Sequence, residues 1–175
     1  GALLFATVVG VPLGVLSAVR RGSFWDYAAR IFSLGGQSIP GFWLGIMLIL
    51  LFGVVLQWLP VSGRGTFSHL ILPALTLATF STARIARLVR ASMLEVLDSE
   101  FVKLARAKGV SARGVIWKHA FRNALIQPLT VSALVLASFI TGSVFVEAVF
   151  AWPGIGRLAV QASLDNDFPV LAGVV

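Results

Sequence analysis

Cysteine is absent from this 175-residue chain, which excludes a disulfide framework and a thiolate metal site. Acid is scarce: seven Asp and Glu stand against fourteen Lys and Arg, and only 12% of residues are charged. The apolar segments carry no paired carboxylate, no H-E-x-x-H and no other metal-ligand spacing, which argues against an intramembrane enzyme. A G-x-x-x-x-G-K-[ST] phosphate loop is missing too, so the chain has no ATP site of that kind. Internal repeats and low-complexity tracts are not found. Apolar residues are what the chain has in plenty, at 58% with a mean hydropathy of +0.93. A soluble domain of this length cannot hide that much apolar surface, so the solvent for most of it is lipid. The net charge of +7 and pI near 11.4 would suggest nucleic acid in a soluble protein. In a membrane protein the same excess marks cytoplasmic loops.

Residues 1–19 are uncharged over about the length that crosses a bilayer as helix. Residues 31–63 are also uncharged, and as one helix would reach about 50 Å, more than the hydrocarbon core needs. Gly35-Gly36 and the Ser38-Ile39-Pro40-Gly41 stretch are expected to bend or break it, leaving 42–56 as its straightest part. A third span is expected over 65–83, entered near Pro73. A fourth is expected over 123–146, with Pro128 in its first turn, and a fifth begins near Phe168. Gly1 already lies inside an apolar run, and the expectation is a piece of a longer polytopic protein lacking its first span and most of its last.

Charge alternates between the connections. Arg20, Arg21 and Arg30 occupy the first, Arg64 the second, nine basic residues the third (84–122) and Arg157 the fourth, beside Glu147, Asp165 and Asp167. The positive-inside rule puts 20–30 and 84–122 in the cytoplasm and Gly1 outside. Trp58 and Trp152 fall where interfacial aromatics belong. His69 and His119 read as surface or hydrogen-bonding histidines.

The long basic connection is organised. Arg84, Arg87 and Arg90 recur at helical spacing, which predicts that the third span runs on past the bilayer. Asp98 or Ser99 can cap a new helix with Glu100 in its first turn, Arg106 and Lys108 in its last, and Gly109 as C′ residue. Ser111 can cap a second short helix running through Val115, Ile116 and Trp117 towards Asn123. Two short helices joined at a glycine and anchored at both ends form a cytoplasmic elbow. A helix-turn-helix DNA reader has similar helices and charge, but this elbow is tethered close to the bilayer at both ends. A solvated loop lying on anionic lipid is the plainer alternative. Against it, Leu104, Ala105, Ala107, Gly109, Ala112 and Gly114 make a small-residue surface around the turn, suited to close docking on a partner.

EFVKLARAKG at 100–109, followed by KHAFRNALIQP at 118–128, resembles the EAA loop in permease subunits of binding-protein-dependent ABC importers. The likeness is to the dipeptide/oligopeptide/nickel class, where the loop reads approximately E-Y-V-x-x-A-R-A-K-G and then R-H-A-x-R-N-A-x-x-P. The general importer pattern, E-A-A-x3-G-x9-I-x-L-P, fits only in part. Lys103, Leu104 and Ala105 stand at its E-A-A, and His119 to Arg122 at its I-x-L-P, as in that class. VPLG at 11–14, SIPGFW at 38–43, WLPVSG at 58–63, VFVEAVF at 144–150 with WPGIG at 152–156, and DFP at 167–169 are similar to the class as well, nearer its first permease subunit.

The resemblance implies an all-α type I ABC importer transmembrane fold: one permease domain over 1–175, with a coupling insert at 95–122 and no cofactor. It implies a path for di- or oligopeptides, nickel or related small solutes. Its implied partners are a second permease subunit, two ATPase subunits, an extracytoplasmic solute-binding protein and membrane lipid, with no nucleic acid. Residues 107–116 then correspond to the coupling helix. Glu100, Ala105 and Gly109 would position it, and Ala107, Ser111, Ala112 and Gly114 would meet the ATPase. Glu147 reads either as an interfacial helix-end carboxylate or, with Pro153, Gly154 and Gly156, as part of an outer gate or path. A membrane scaffold or receptor docking a cytoplasmic protein is the alternative from another class. A secondary transporter is less suited, because ionisable groups are missing at mid-membrane.

Overall fold

The computed structural model describes residues 1–63, 65–142 and 144–174, with side chains omitted over 136–142. Arg64, the basic residue of the second connection, lies outside the described residues. Their regular structure is all helix, with no strand among the described residues. Helix α1 is Ala2–Val19, α2 Phe24–Ser38, and α3 Gly41–Leu48, continued by a π-helical stretch Ile49–Val55. A 3₁₀ turn, Phe67–Leu70, leads into the 27-residue α4, Ile71–Leu97. Next come α5 (Glu100–Ala107), α6 (Ala112–Gly114), a π-helical stretch Val115–Ala120, and α7 (Phe121–Ala124). The chain ends in α8 (Ile126–Gly142), α9 (Val144–Val149), α10 (Ile155–Leu164) and α11 (Phe168–Val174).

By length and composition α1 and Phe67–Leu97 can cross a membrane, and α2 with Gly41–Val55 would make a broken third span. The region of the fourth expected span holds α8, 17 residues long, which is not among the helices long enough to cross by that measure. Several expectations are corrected. The diglycine Gly35-Gly36 does not interrupt α2, because glycine keeps its N–H and costs a helix only about 1 kcal/mol. The break comes at Ile39-Pro40, where proline disfavours helical backbone at the residue before it. Within 42–56 the helix is α to Leu48 and π-helical over Ile49–Val55. Residues 20–30 are mostly not a loop: α2 starts at Phe24, with Asp26 in its first turn. The fourth connection holds α10, whose apolar Ile155, Leu158, Ala159 and Ala162 keep helical spacing.

The chain divides into two compact units. The first is built from residues 3–38 and 79–136, the second from 39–78 and 137–175. In the first, Ala6, Val15 and Ala18 of α1 pack with Ile85, Val89 and Met93 of α4 and with Ala120 and Ala124. Contact is close at Gly14, where an added Cβ would lie 2.6 Å from the Ala86 carbonyl oxygen and 2.7 Å from Val89 Cβ. In the second, Leu72, Val146 and Phe150 form the core, flanked by Leu48, Phe52 and Leu77.

Candidate functional site

The elbow lies in the first unit and takes shape from local chain chemistry. Ser99 is the N-cap of α5, but its hydroxyl donates back to the Val96 carbonyl at 2.5 Å rather than capping the new helix. Glu100 opens α5, where its charge suits the helix dipole, and its exposed carboxylate meets Lys103 Nζ at 2.7 Å. At the far end Gly109 N donates to Arg106 O (3.0 Å) and Val110 N to Ala105 O (3.2 Å), the paired bonds of a Schellman motif. The motif requires a left-handed residue at Gly109, whose φ is +79°. Ser111 Oγ then accepts from Gly114 N at 3.3 Å, capping the returning helix as its sequence position predicts.

Residues 107–116 are thus not one continuous helix. They comprise the last residue of α5, a tight turn, and the first turn and a half of the returning helical stretch. The elbow has two faces. Val102, Ala105, Val115 and Ala120 are buried, so Ala105 belongs to the inner packing. Ala107, Gly109, Ser111 and Ala112 are exposed, and Gly114 is half-buried. Leu104, named for that surface, is 56% exposed, and sequence reading missed the large apolar side chains beside it, Trp117 (57% exposed) and Phe101. Their signal is an apolar residue among Lys and Arg where solvent alone would favour polar ones. Trp117 meets Phe121 edge-on at 5.2 Å between ring centroids.

A second group in the first unit was also missed. Asp26, 1% exposed, accepts from Ser17 Oγ (2.6 Å), Gly22 N (3.0 Å), Arg90 Nε (2.8 Å) and Arg90 Nη2 (3.1 Å). Arg30 approaches the same carboxylate at 3.4 Å and covers the Tyr27 ring at 4.6 Å. Asp26 is the only acid among the basic residues of 20–30, but linear spacing gives no hint of a partner 64 residues away.

In the second unit Glu147, Gly154 and Gly156 come together. The Glu147 carboxylate accepts from Arg157 N (2.9 Å), the third residue of α10, and so serves as an anionic cap for that helix. Arg157 Nη1 donates to Ala151 O at 2.8 Å, and Trp152 N to Glu147 O at 2.8 Å. Gly154 lies directly against the carboxylate, and Gly156 against both Glu147 and Val144. Pro153 lies in the exposed bend between these helices. His69 Nδ1 pairs with Thr66 Oγ1 at 2.9 Å in a capping turn, a hydrogen-bonding role.

Residues 10–175 match the family model described as the binding-protein-dependent transport system inner membrane component. The chain is 42% identical over 198 residues to the di/tripeptide transport system permease protein DppB of Pseudomonas aeruginosa, covering 97% of this chain and 59% of that protein. It is 45% identical over 175 residues to a putative peptide transport system permease protein of Brucella suis, covering 95% and 56%. It is 40% identical over 205 residues to the dipeptide transport system permease protein DppB of Escherichia coli K12, covering 99% and 60%. The chain therefore spans less than two thirds of the length of these curated relatives. With its all-helical architecture and apolar helices, the chain belongs to the family of binding-protein-dependent transport system inner membrane components and has their type I ABC importer transmembrane fold.

Proposed function

We propose that the chain is the core of a permease subunit in an ATP-driven importer, and that its elbow receives the motion of a separate ATPase subunit. One observation carries this reading. The elbow's inner face is anchored in the first unit's core, while Leu104, Ala107, Ser111, Ala112 and Trp117 stay exposed around a turn fixed by Gly109. A loop that only rested on lipid would need neither that anchored geometry nor a small-residue rim. ATP hydrolysis falls to the partner, because this chain carries no phosphate loop. The relatives' names support a di- or oligopeptide as cargo. Nickel or related small solutes fit the same class.

In this reading residues 1–175 form one permease domain, and 95–122 is its cytoplasmic coupling insert. The assembly contains a second permease subunit, two ATPase subunits and an extracytoplasmic solute-binding protein, and residues 20–30 and 84–122 face the cytoplasm. Closure of the ATPase pair tilts the elbow, and α4 and the returning helix carry the tilt as rigid bodies that alternate the path. Glu147, Pro153, Gly154 and Gly156 shape its outer mouth, with the carboxylate holding α10 in place.

Ala112→Glu tests the coupling. Ala112 opens the returning helix, where a negative charge favours folding, so the elbow itself should persist. A carboxylate buried at a packed contact is unpaired and costly, so the ATPase subunit should be lost from the detergent-purified complex. Ser62→Glu, in the second connection, should leave it bound. Ser111→Cys should cross-link to the ATPase with a yield that changes on adding ATP. Normal co-purification of Ala112→Glu together with no cross-link at position 111 would overturn the assignment.

A further inference from the structure

The first unit contains a cavity of about 200 Å³ between α1, α2 and α4, and its lining has two characters. Leu13, Leu34 and Ala86 line it together with Arg30, Arg87 and Arg90. We propose that this cavity holds the phosphate headgroup of an anionic phospholipid from the cytoplasmic leaflet.

Charge balance supports an anion. The nearest carboxylate, Asp26, is buried and is held by both Arg90 nitrogens that face it, with Arg30 at its edge. Arg87 has no ion-pair or hydrogen-bond partner among the described residues, and Arg30 remains 43% exposed at its side chain. An anion entering here meets Arg87 unpaired and Arg30 and Arg90 shared with Asp26, a carboxylate that is not itself part of the lining. Guanidinium forks suit phosphate oxygens geometrically as well as in charge.

The apolar part of the lining selects lipid over a free phosphate ion. Leu13 belongs to the uncharged run of α1, and Leu34 and Ile31 on α2 are 60% and 69% exposed. A soluble anion would leave that part facing water. A phosphoglycerol headgroup would fill the cavity, and its acyl chains would leave along Ile31 and Leu34. Depth agrees. Ser17 and Arg90 line the cavity at the ends of α1 and α4 that the charge pattern assigns to the cytoplasm, and basic pockets between helices on that side suit anionic headgroups. The inference rests on the membrane orientation of the chain and not on ATPase coupling, so either can fail without the other.

The experiment uses the full-length permease with its partner subunits, exchanged into lipid mixtures of phosphatidylglycerol and phosphatidylcholine and examined by native mass spectrometry. Wild type should retain phosphatidylglycerol in preference to phosphatidylcholine. Arg87→Gln should lower that retention by about fivefold, the effect of one basic residue near an anionic lipid. Arg113→Gln removes equal charge from the elbow, away from the cavity, and should leave lipid retention unchanged. Ala29→Leu keeps every arginine but fills the cavity, so it should also lose retention. Equal retention by wild type and Arg87→Gln, or equal retention of both lipids, overturns the site. Displacement of the lipid by inorganic phosphate at comparable concentration would make it a free-anion site and overturn the lipid assignment.

Discussion

Arg90 and Asp26, 64 residues apart in the chain, meet side by side: Nε lies 2.8 Å from Oδ1 and Nη2 lies 3.1 Å from Oδ2. The pair ties the start of α2 to α4, with Ser17 of α1 completing the carboxylate's bonding. It also fixes the helix that leads directly into the elbow.

Removing one partner should therefore be costly. Asp26→Ala leaves a half-buried guanidinium without its counter-charge, a loss of about 3 kcal/mol for a broken buried pair. The melting temperature of the purified protein in detergent should fall clearly. Replacing both partners by apolar side chains, Asp26→Leu with Arg90→Met, should recover most of the loss. A single variant that melts like wild type would show that the pair carries no stability.

Gly109 turns the elbow with φ +79°. A β-branched residue is strained there by about 1–2 kcal/mol, and the Schellman bonds would loosen. Gly109→Val should reach the membrane in near-normal amount, because the apolar helices are untouched, while uptake per molecule, peptide uptake under the proposed function, falls strongly. Wild-type uptake at equal abundance would remove this turn from the mechanism.

Gly154 admits the Glu147 carboxylate against the start of α10. Gly154→Ala places a methyl group into that carboxylate and should cost about 1–3 kcal/mol as overpacking. Combining it with Glu147→Ala removes the collision, so the double variant should be less damaged than the two single losses added together. Simple additivity in a melting series would mean that the two residues do not touch.

Orientation can be read chemically, since the chain has no cysteine of its own. Ser62→Cys should react with an impermeant maleimide on intact cells, whereas Lys108→Cys should react only after the membrane is opened. The reverse pattern would invert the orientation and remove both the coupling reading and the cytoplasmic lipid site.

The sequence by itself determined the solvent, the helical class, the charge alternation and the local punctuation of the elbow. Each of these depends on residues near one another in the chain. Pro40 breaks a helix, Gly109 accepts a left-handed turn, and Ser111 caps the residue three positions on, whatever surrounds them. Ser99 marks the limit of such reading, because its hydroxyl had a competing carbonyl at Val96 and took it. Only the tertiary structure decided that Ala105 turns inward while Leu104 and Trp117 stay outside, since that depends on which side of α5 meets the returning helix. It alone decided that Glu147 caps α10, and that Asp26 finds Arg90 and leaves Arg87 unpaired among the described residues, at a cavity it lines with Leu13 and Leu34. Hydropathy and charge runs are properties of neighbours in sequence, whereas a buried ion pair depends on how two helices cross.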